Sequence, residues 1–105
     1  MRPVLTFEPD YLYVEPRESV LFFARIGGRR LRCYVERAAL VAHCEAKDEA
    51  HEAYRHYLRA YHRNRDMIQA VARALIEANA LAPEGVVVVS AAAIARMPET
   101  LVASG

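Results

Sequence analysis

The sequence predicts a small α+β domain, and three observations lead to this fold class. Two β-rich runs flank a Gly-Gly pair at 27–28, residues 49–80 repeat apolar side chains with a helical period, and "GVVVVS" at 85–90 has the length of a strand. We therefore expect a short N-terminal strand, a Gly-Gly β-hairpin and a C-terminal strand to form a small, mainly antiparallel sheet, packed by one long helix and short flanking helices. The 105 residues, 54% of them hydrophobic, suit a single domain in which 1–3 and 99–105 are frayed.

The segment before the hairpin predicts a strand followed by a loop. "VLTF" at 4–7 has the composition of a strand, and Pro9 stops it because proline lacks the amide proton that a sheet uses. Residues 11–19 are rich in aromatic side chains but contain Pro16. We expect these residues to form an ordered loop with an extended start.

The hairpin has a register that its turn determines. A two-residue type I′ turn needs φ > 0 at both central positions, which glycine adopts without strain. The apolar face that this turn creates is directed to the core. Its pairs are Ala24 with Leu31, Phe22 with Cys33 and Val20 with Val35, and Ile26 pairs with Arg29 at the tip. On the other face Arg25 lies opposite Arg30. This like-charge pair is mildly destabilising and indicates a solvated tip or an anionic partner.

Two helical segments follow the hairpin. "ERAALVAHC" at 36–44 has the composition of a short helix, and Asp48 is a suitable N-cap for a long helix at 49–80. One stripe of the long helix is apolar and the opposite stripe is charged, as in helices that pack against a core. Asn79 and the turn at 83–85 are typical of its end.

The chain after the long helix predicts one more strand and one more helix. The continuous apolar run at 85–90 indicates an inner strand or a strand covered on both faces. Ser90 is a suitable N-cap for a last short helix, which Pro98 ends.

The long helix exceeds the dimensions of a domain of this size. At 1.5 Å per residue it spans about 48 Å, whereas a chain of this length has a radius of gyration of roughly 13 Å. Either the helix bends near Asn64 and folds its tyrosines onto the hairpin, or a second copy of the chain covers the overhanging half. Because tyrosine is favoured in interfaces, we predict a homodimer whose surface contains Tyr54, Tyr57 and Tyr61.

Asn64 lies within the apolar stripe of the long helix, and Arg65 lies at its edge. A buried amide needs partners, because an unsatisfied polar group costs about 1–3 kcal/mol. We predict a structural latch in which Asn64 bonds main-chain atoms at a sheet edge or in the loop at 9–19. Arg65 would bond loop carbonyls or a carboxylate such as Asp10, Glu15 or Glu18. The alternative for the pair is an anion or ligand site.

No pattern in the sequence indicates catalysis, a metal ion or a cofactor. His51 and His56 are five residues apart and diverge by about 140° on a helix, unlike the ligands of the zinc motif H-E-x-x-H. Cys33 and Cys44 form no C-x-x-C motif, and Cys33 faces the core in the register above. We therefore expect a protein that is not an enzyme and that has no catalytic, metal-binding or cofactor-binding residues.

Positive charge is concentrated on the hairpin, although the net charge of +1 supplies no global attraction for nucleic acid or anionic membranes. The residues that could contact an anion or a partner are Arg25, Arg29, Arg30 and Arg32. We expect a non-enzymatic binding or regulatory module. The alternative is a nucleic-acid-binding protein that uses the hairpin at 25–32. Neither a signal peptide nor a membrane span is indicated, so we expect a cytoplasmic protein.

Four segments together resemble one small bacterial family. They are the strand with Phe7, "VLFFARIGGRRLRCYVERAAL" from residue 20, "YHRNRDMIQAVA" from residue 61 and "APEGVVVVSAAAI" from residue 82. The family is DUF1488, a domain of unknown function, and the resemblance extends over residues 5–95. Its helix element maps onto Tyr61, Asn64, Arg65 and Ile68, whereas Ala93 stands where the family pattern implies an acidic residue. The resemblance implies a compact bacterial α+β domain and no particular activity.

Overall fold

Strands and helices are mixed along the chain. The computed structural model describes residues 4–46 and 53–97, and within these ranges the chain forms four strands, four α-helices and one 3₁₀ turn. The strands are β1 (Leu5–Val14), β2 (Ser19–Ile26), β3 (Arg29–Glu36) and β4 (Val87–Val89). The helices are α1 (Arg37–His43), α2 (Ala53–Arg63), α3 (Arg65–Glu77) and α4 (Ala91–Ala95), and the 3₁₀ turn is Glu15–Arg17. The predicted α+β fold class is confirmed.

The four strands form one mixed sheet in the order β1-β2-β3-β4. β2 is antiparallel to both β1 and β3, and β4 is parallel to β3. Gly27 and Gly28 join β2 to β3 with φ angles of 55° and 86°, the positive values that a type I′ turn needs. Ile26 accordingly pairs with Arg29, which is the register that the sequence predicts.

β1 is longer than the sequence predicts, and the expectation that Pro9 ends it is wrong. The strand continues through Pro9 to Val14, and its register against β2 shifts between Phe7 and Tyr11. β1 lies at the edge of the sheet, where the missing amide proton of a proline is tolerated and an irregularity can absorb it. The predicted loop at 11–19 is therefore reduced to the 3₁₀ turn and the residue that follows it.

The long helix predicted at 49–80 is wrong as a continuous element, because it is interrupted at Asn64 between α2 and α3. The side-chain amide of Asn64 donates to the carbonyl of Ala60 at 2.8 Å and reaches the carbonyl of Cys44 at 3.5 Å. The backbone there has φ −110° and ψ 19°, which departs from helical geometry. The structure thus has the bent helix that was the alternative to an overhang. The predicted N-cap Asp48 lies outside the described residues.

β4 is an edge strand of the sheet, so the inner strand, one of the two predicted alternatives, is wrong. Its Val87 and Val89 are fully buried and its Val88 is half-buried. Ser90 follows, and its hydroxyl accepts a hydrogen bond from the backbone N–H of Ala93 at 3.0 Å. Ser90 therefore caps α4, as the sequence predicts.

The main core lies between one face of the sheet and the helices. α2 packs over β1 and β2, and α3 packs over β4, so the helices on both sides of the bend cover the same face. Its largest buried side chains are Val20, Phe22, Val35, Val87 and Val89 from the sheet and Leu40, Tyr57, Tyr61, Ile68 and Val71 from the helices. Burial of each large side chain stabilises the fold by roughly 1.5–3 kcal/mol.

The opposite face of the sheet carries a smaller apolar cluster that arginine side chains cover. The guanidinium carbon of Arg30 lies 3.7 Å from the ring centre of Phe23, and that of Arg17 lies 4.1 Å from the ring centre of Tyr34. Leu21 completes the cluster. Stacking of this kind buries the ring beneath a charge that remains solvated.

Candidate functional site

Two of the four predicted hairpin arginines are paired with an acidic residue of the same chain. The carboxylate of Glu8 in β1 accepts a hydrogen bond from Nε of Arg25 at 3.0 Å and two from Arg30, each at 3.0 Å. This bridge offsets the repulsion between Arg25 and Arg30, which face each other across the hairpin. Arg29 and Arg32 are exposed at the surface. The structure therefore brings Arg25 and Arg30 together around Glu8 and leaves Arg29 and Arg32 in solvent.

The ion pairs of Glu8 with Arg25 and Arg30 predict that the stability of the fold depends on pH in acidic solution. Hydrogen bonds from Arg30, together with the charges of Arg30 and Arg25, hold the pKa of Glu8 below its usual 4.5. A carboxyl with a lowered folded pKa stabilises the fold above its unfolded pKa, and this contribution is lost as the pH falls. We expect the free energy of unfolding to fall more steeply below pH 4.5 in the wild type than in Glu8→Gln.

Chemical denaturation at a series of acidic pH values measures this difference. Glu77→Gln, which removes an exposed carboxylate from α3, is the matched control and should keep the wild-type slope. Equal slopes in Glu8→Gln and the wild type would contradict a stabilising role for the bridge.

Asn64 bonds main-chain atoms, although not those named by the latch hypothesis. Its carbonyl partners are Ala60 within α2 and Cys44 just after α1, rather than a sheet edge or the loop at 9–19. The amide thus connects the bend of the helix to the end of α1. Its contribution to stability stays a prediction.

Arg65 has a different neighbour from those that the latch hypothesis names. Glu18, one of the carboxylates suggested for it, pairs instead with Arg37 at 3.1 Å. The positive charge of Arg65 acts on Tyr61 and favours its ionised form, against the stronger effect of burial. Arg65 is half-buried beside the bend.

The three tyrosines proposed as a dimer surface have different environments. Tyr57 and Tyr61 are 2% and 1% exposed, because the bend at Asn64 turns α2 onto the sheet. The ring centre of Tyr61 lies 4.9 Å from that of Tyr11 and 5.1 Å from that of Phe22. The assignment of Tyr57 and Tyr61 to a dimer surface is therefore wrong, since both pack inside the chain. Tyr54 remains on the surface, 44% exposed.

A cleft of about 440 Å³ opens beside the outer stripe of α2, and we refer to it as the α2 cleft. It is formed by three separate segments of the chain: β1, the residues after α1, and α2 itself. Its lining includes Tyr11, Glu45, His56, Arg59, His62 and Arg63. The volume lies in the range of small-molecule sites, roughly 300–1,000 Å³.

The side chains that α2 contributes to the cleft are basic. At about 100° per residue, His56, Arg59 and Arg63 fall within about 60° of one another around the helix axis, and His62 flanks them. Both arginines are charged throughout the physiological pH range. Among the described residues of the lining the acidic one is Glu45, so the part of the α2 cleft that the structure describes carries net positive charge and presents hydrogen-bond donors, which suits an anion.

Tyr11 connects the cleft to the core. Its hydroxyl lies 3.2 Å from Nδ1 of His62, and its ring packs against the buried ring of Tyr61. With the hydroxyl as donor, a neutral His62 carries its proton on Nε2, which leaves an N–H for a ligand. Buried Tyr61 therefore positions Tyr11, and Tyr11 orients the imidazole of His62.

The sequence contains the basic stripe of α2 but does not show what faces it. Tyr11 is predicted to lie in a loop, and Glu45 belongs to no recognisable motif. The spacing of three and four residues between His56, Arg59 and Arg63 is the available signal. Within residues 4–46 and 53–97, no three His, Cys, Asp or Glu side chains are grouped to hold a metal ion. Among the helices described, none has both the length and the apolar character needed to cross a membrane.

The fold has relatives among known proteins. A family model described as "Protein of unknown function (DUF1488)" matches residues 5–89. The chain belongs to the DUF1488 family. A crystal structure of a protein of unknown function from the DUF1488 family of Shewanella loihica PV-4 is similar to this DUF1488 protein, with a TM-score of 0.72 and 21% sequence identity, and the match covers 85% of this chain and 94% of that chain. Among curated proteins, none matches.

The helix element of the family resemblance surrounds the bend in this DUF1488 protein. Tyr61 and Ile68 are buried in the main core, one on each side of Asn64. The backbone N–H of Ile68 donates to the carbonyl of Asn64 at 3.0 Å, so hydrogen bonding continues across the interruption. The element thus serves to bend the helix and to anchor both halves.

Ala93 occupies the position at which the resemblance implies an acidic residue. It is the third residue of α4, and its N–H donates to the capping hydroxyl of Ser90. A carboxylate at this position would accept a hydrogen bond from the N–H of residue 90 and complete a capping box. In this DUF1488 protein Ser90 caps α4 without such a carboxylate.

Proposed function

We propose that this DUF1488 protein is a non-enzymatic binding module that holds a small anionic molecule in the α2 cleft. The observation that carries the proposal is the grouping of Arg59, Arg63, His56 and His62 around a cavity of small-molecule size. An anion placed there meets two permanent positive charges and several donors. Glu45 opposes them with a single negative charge.

Binding, rather than catalysis, fits the state of the thiols. Burial raises the pKa of Cys33 to about 12 and that of Cys44 to about 11. At neutral pH such thiols stay protonated, and the thiolate is the form that attacks substrates. The α2 cleft itself supplies groups that orient and neutralise a ligand, and the proposal assigns it no reaction.

The hairpin at 25–32 supports nucleic-acid binding less well. Arg29 and Arg32 are exposed, but Glu8 already engages Arg25 and Arg30, and its negative charge reduces the attraction of the hairpin for phosphate. An electrophoretic shift of random duplex DNA at low salt that weakens steeply with added salt, and is lost in Arg29→Glu, would favour this alternative. The absence of a shift at micromolar protein would exclude nucleic-acid binding by the hairpin.

Self-association and a cytoplasmic location stay predictions. With Tyr57 and Tyr61 buried, Tyr54 is the member of the proposed trio that a second copy could contact. Light scattering of the full chain at tens of micromolar tests the homodimer. A mass near that of the 11.8 kDa monomer would exclude the homodimer.

The binding proposal predicts that small organic anions perturb the α2 cleft and that its arginines are required. We expect titration with benzoate or phenyl phosphate to shift backbone NMR resonances of Tyr11, His62 and Arg63. Replacing Arg59 and Arg63 together with glutamine should weaken binding about tenfold or more, because charge-assisted hydrogen bonds are lost.

Arg96→Gln is the matched control, since Arg96 is an exposed arginine at the end of α4 and does not line the cleft. It should bind like the wild type. If neither anion shifts the cleft resonances at millimolar concentration, the proposed function is wrong.

A further inference from the structure

We propose that the group recognised in the α2 cleft is a phosphomonoester dianion carried on a planar organic body, an inference that rests on the proposed function. The cleft offers two guanidinium groups, which together carry more hydrogen-bond donors than one carboxylate can use. It is also much larger than a phosphate ion. These two properties, the number of donors and the size, favour this ligand class.

The arrangement of the arginines favours phosphate. Arg59 and Arg63 lie one helical turn apart, a spacing that makes their side chains neighbours on the surface of α2. Each guanidinium is a planar fork that can donate two parallel hydrogen bonds to one anionic group. A phosphomonoester has three terminal oxygens and can accept both forks. A carboxylate has two oxygens, which a single fork satisfies.

The charges that face the ligand also favour a dianion. Within residues 4–46 and 53–97, the ionisable groups of the lining are Tyr11 on β1, Glu45 after α1, and His56, Arg59, His62 and Arg63 on α2. The two arginines and Glu45 sum to one positive charge. A dianion is attracted by this charge more strongly than a monoanion is, because the Coulomb energy is proportional to the charge of the ligand.

The size and the wall of the cleft indicate what carries the phosphate. The volume of about 440 Å³ belongs to the class of sites that enclose small organic molecules. Tyr11 contributes an aromatic ring, and this ring is held in place by Tyr61 at 4.9 Å between ring centres. A preorganised ring of this kind stacks well on a planar group. Aryl phosphates and nucleoside monophosphates share both features.

Four probes of graded charge and size test the inference on the full chain by NMR titration at low salt. They are phenyl phosphate, its methyl ester methyl phenyl phosphate, benzoate and inorganic phosphate. We expect phenyl phosphate to bind about tenfold or more tightly than each of the other three. The methyl ester keeps the ring but loses one charge, and inorganic phosphate keeps the charge but loses the ring.

The outcomes separate this inference from the proposed function. If benzoate or methyl phenyl phosphate binds in the cleft as tightly as phenyl phosphate, recognition of a dianion is wrong and the anion-binding function stands. If inorganic phosphate binds as tightly as phenyl phosphate, the inference that the cleft recognises a planar organic body is wrong. If no probe shifts the cleft resonances, both the inference and the proposed function are wrong.

Two variants assign the effect to the arginine forks. Arg63→Lys keeps the charge but loses the planar fork, so it should weaken binding of phenyl phosphate more than binding of benzoate. Arg96→Gln should change neither. Thermal unfolding of each variant checks that the fold is intact, and equal losses for both probes in Arg63→Lys would overturn the role of the fork.

Discussion

Replacing Tyr61 with alanine is expected to lower the free energy of unfolding by about 3–5 kcal/mol, the usual cost of truncating a buried aromatic ring. Tyr61 is 1% exposed and packs between the rings of Tyr11 and Phe22. Its hydroxyl also accepts a hydrogen bond from Gln69 at 3.2 Å. The truncation leaves a cavity beneath α2 that neighbouring rings can fill only in part. Because a domain has about 5–15 kcal/mol of stability in total, the variant should be close to unfolding at 37 °C.

Two control variants separate the ring of Tyr61 from its hydroxyl and from its helix. Tyr61→Phe keeps the ring and loses the bond to Gln69, which should cost about 1 kcal/mol. Tyr54→Ala removes a tyrosine that is 44% exposed on the same helix, and surface substitutions usually change stability by less than about 0.5 kcal/mol. Urea denaturation gives the three values. A loss below about 1 kcal/mol in Tyr61→Ala would contradict the buried position of the ring.

Local chemistry explains why the hairpin could be predicted from the sequence. Gly27 and Gly28 are a strong turn signal, and the turn alone determines which residues of β2 and β3 face each other. Ser90 is a similar case, because an N-cap acts on the helix that follows it directly. In both cases the residues that interact are close in sequence.

Features that depend on distant contacts could not be predicted in the same way. The bend at Asn64 involves the carbonyl of Cys44, which a helical periodicity does not reveal. The continuation of β1 through Pro9 depends on that strand lying at the edge of the sheet. Burial of Tyr57 and Tyr61 then follows from the bend, since an amphipathic stripe looks the same whether its own sheet or a second chain covers it.

The α2 cleft illustrates the same limit for the site. Tyr11, Glu45 and His62 line one cavity, although they lie far apart in the chain. The sequence indicates a basic stripe on α2, and such stripes usually face solvent. Only the position of β1 beside α2 converts the stripe into the wall of a cleft. The hydrogen bond between Tyr11 and His62 depends on this tertiary contact.

Stability is also expected to fall steeply in alkaline solution, because three buried acids must remain protonated in the fold. Burial raises the pKa of Cys33 from 9.0 to about 12, that of Cys44 from 9.0 to about 11 and that of Tyr61 from 10.0 to about 12. Above pH 9 the unfolded chain releases protons that the folded chain retains. The folded state then binds more protons than the unfolded state, so the free energy of unfolding decreases as the pH rises.

The size of the alkaline effect follows from the shifts and from the burial of the groups. One pKa unit corresponds to about 1.4 kcal/mol, so Cys33 alone should remove roughly 3 kcal/mol by about pH 11. The three groups together should remove on the order of 5 kcal/mol over the same interval, a large share of the stability of a small domain. Below pH 9 the same groups should leave stability nearly independent of pH.

Cys33→Ala tests the assignment of this effect, since it removes the thiol with the largest shift and leaves the other two groups in place. The side chain of Cys33 is fully buried between the sheet and the helices, and alanine is only slightly smaller. The variant should therefore lose some stability at neutral pH, yet its free energy of unfolding should decline less steeply between pH 9 and pH 11 than that of the wild type. Urea denaturation monitored by circular dichroism at each pH measures both slopes under reducing conditions. The same slope in both proteins would show that the Cys33 thiol can ionise without unfolding, and the packing of β3 against the helices described above would then be wrong.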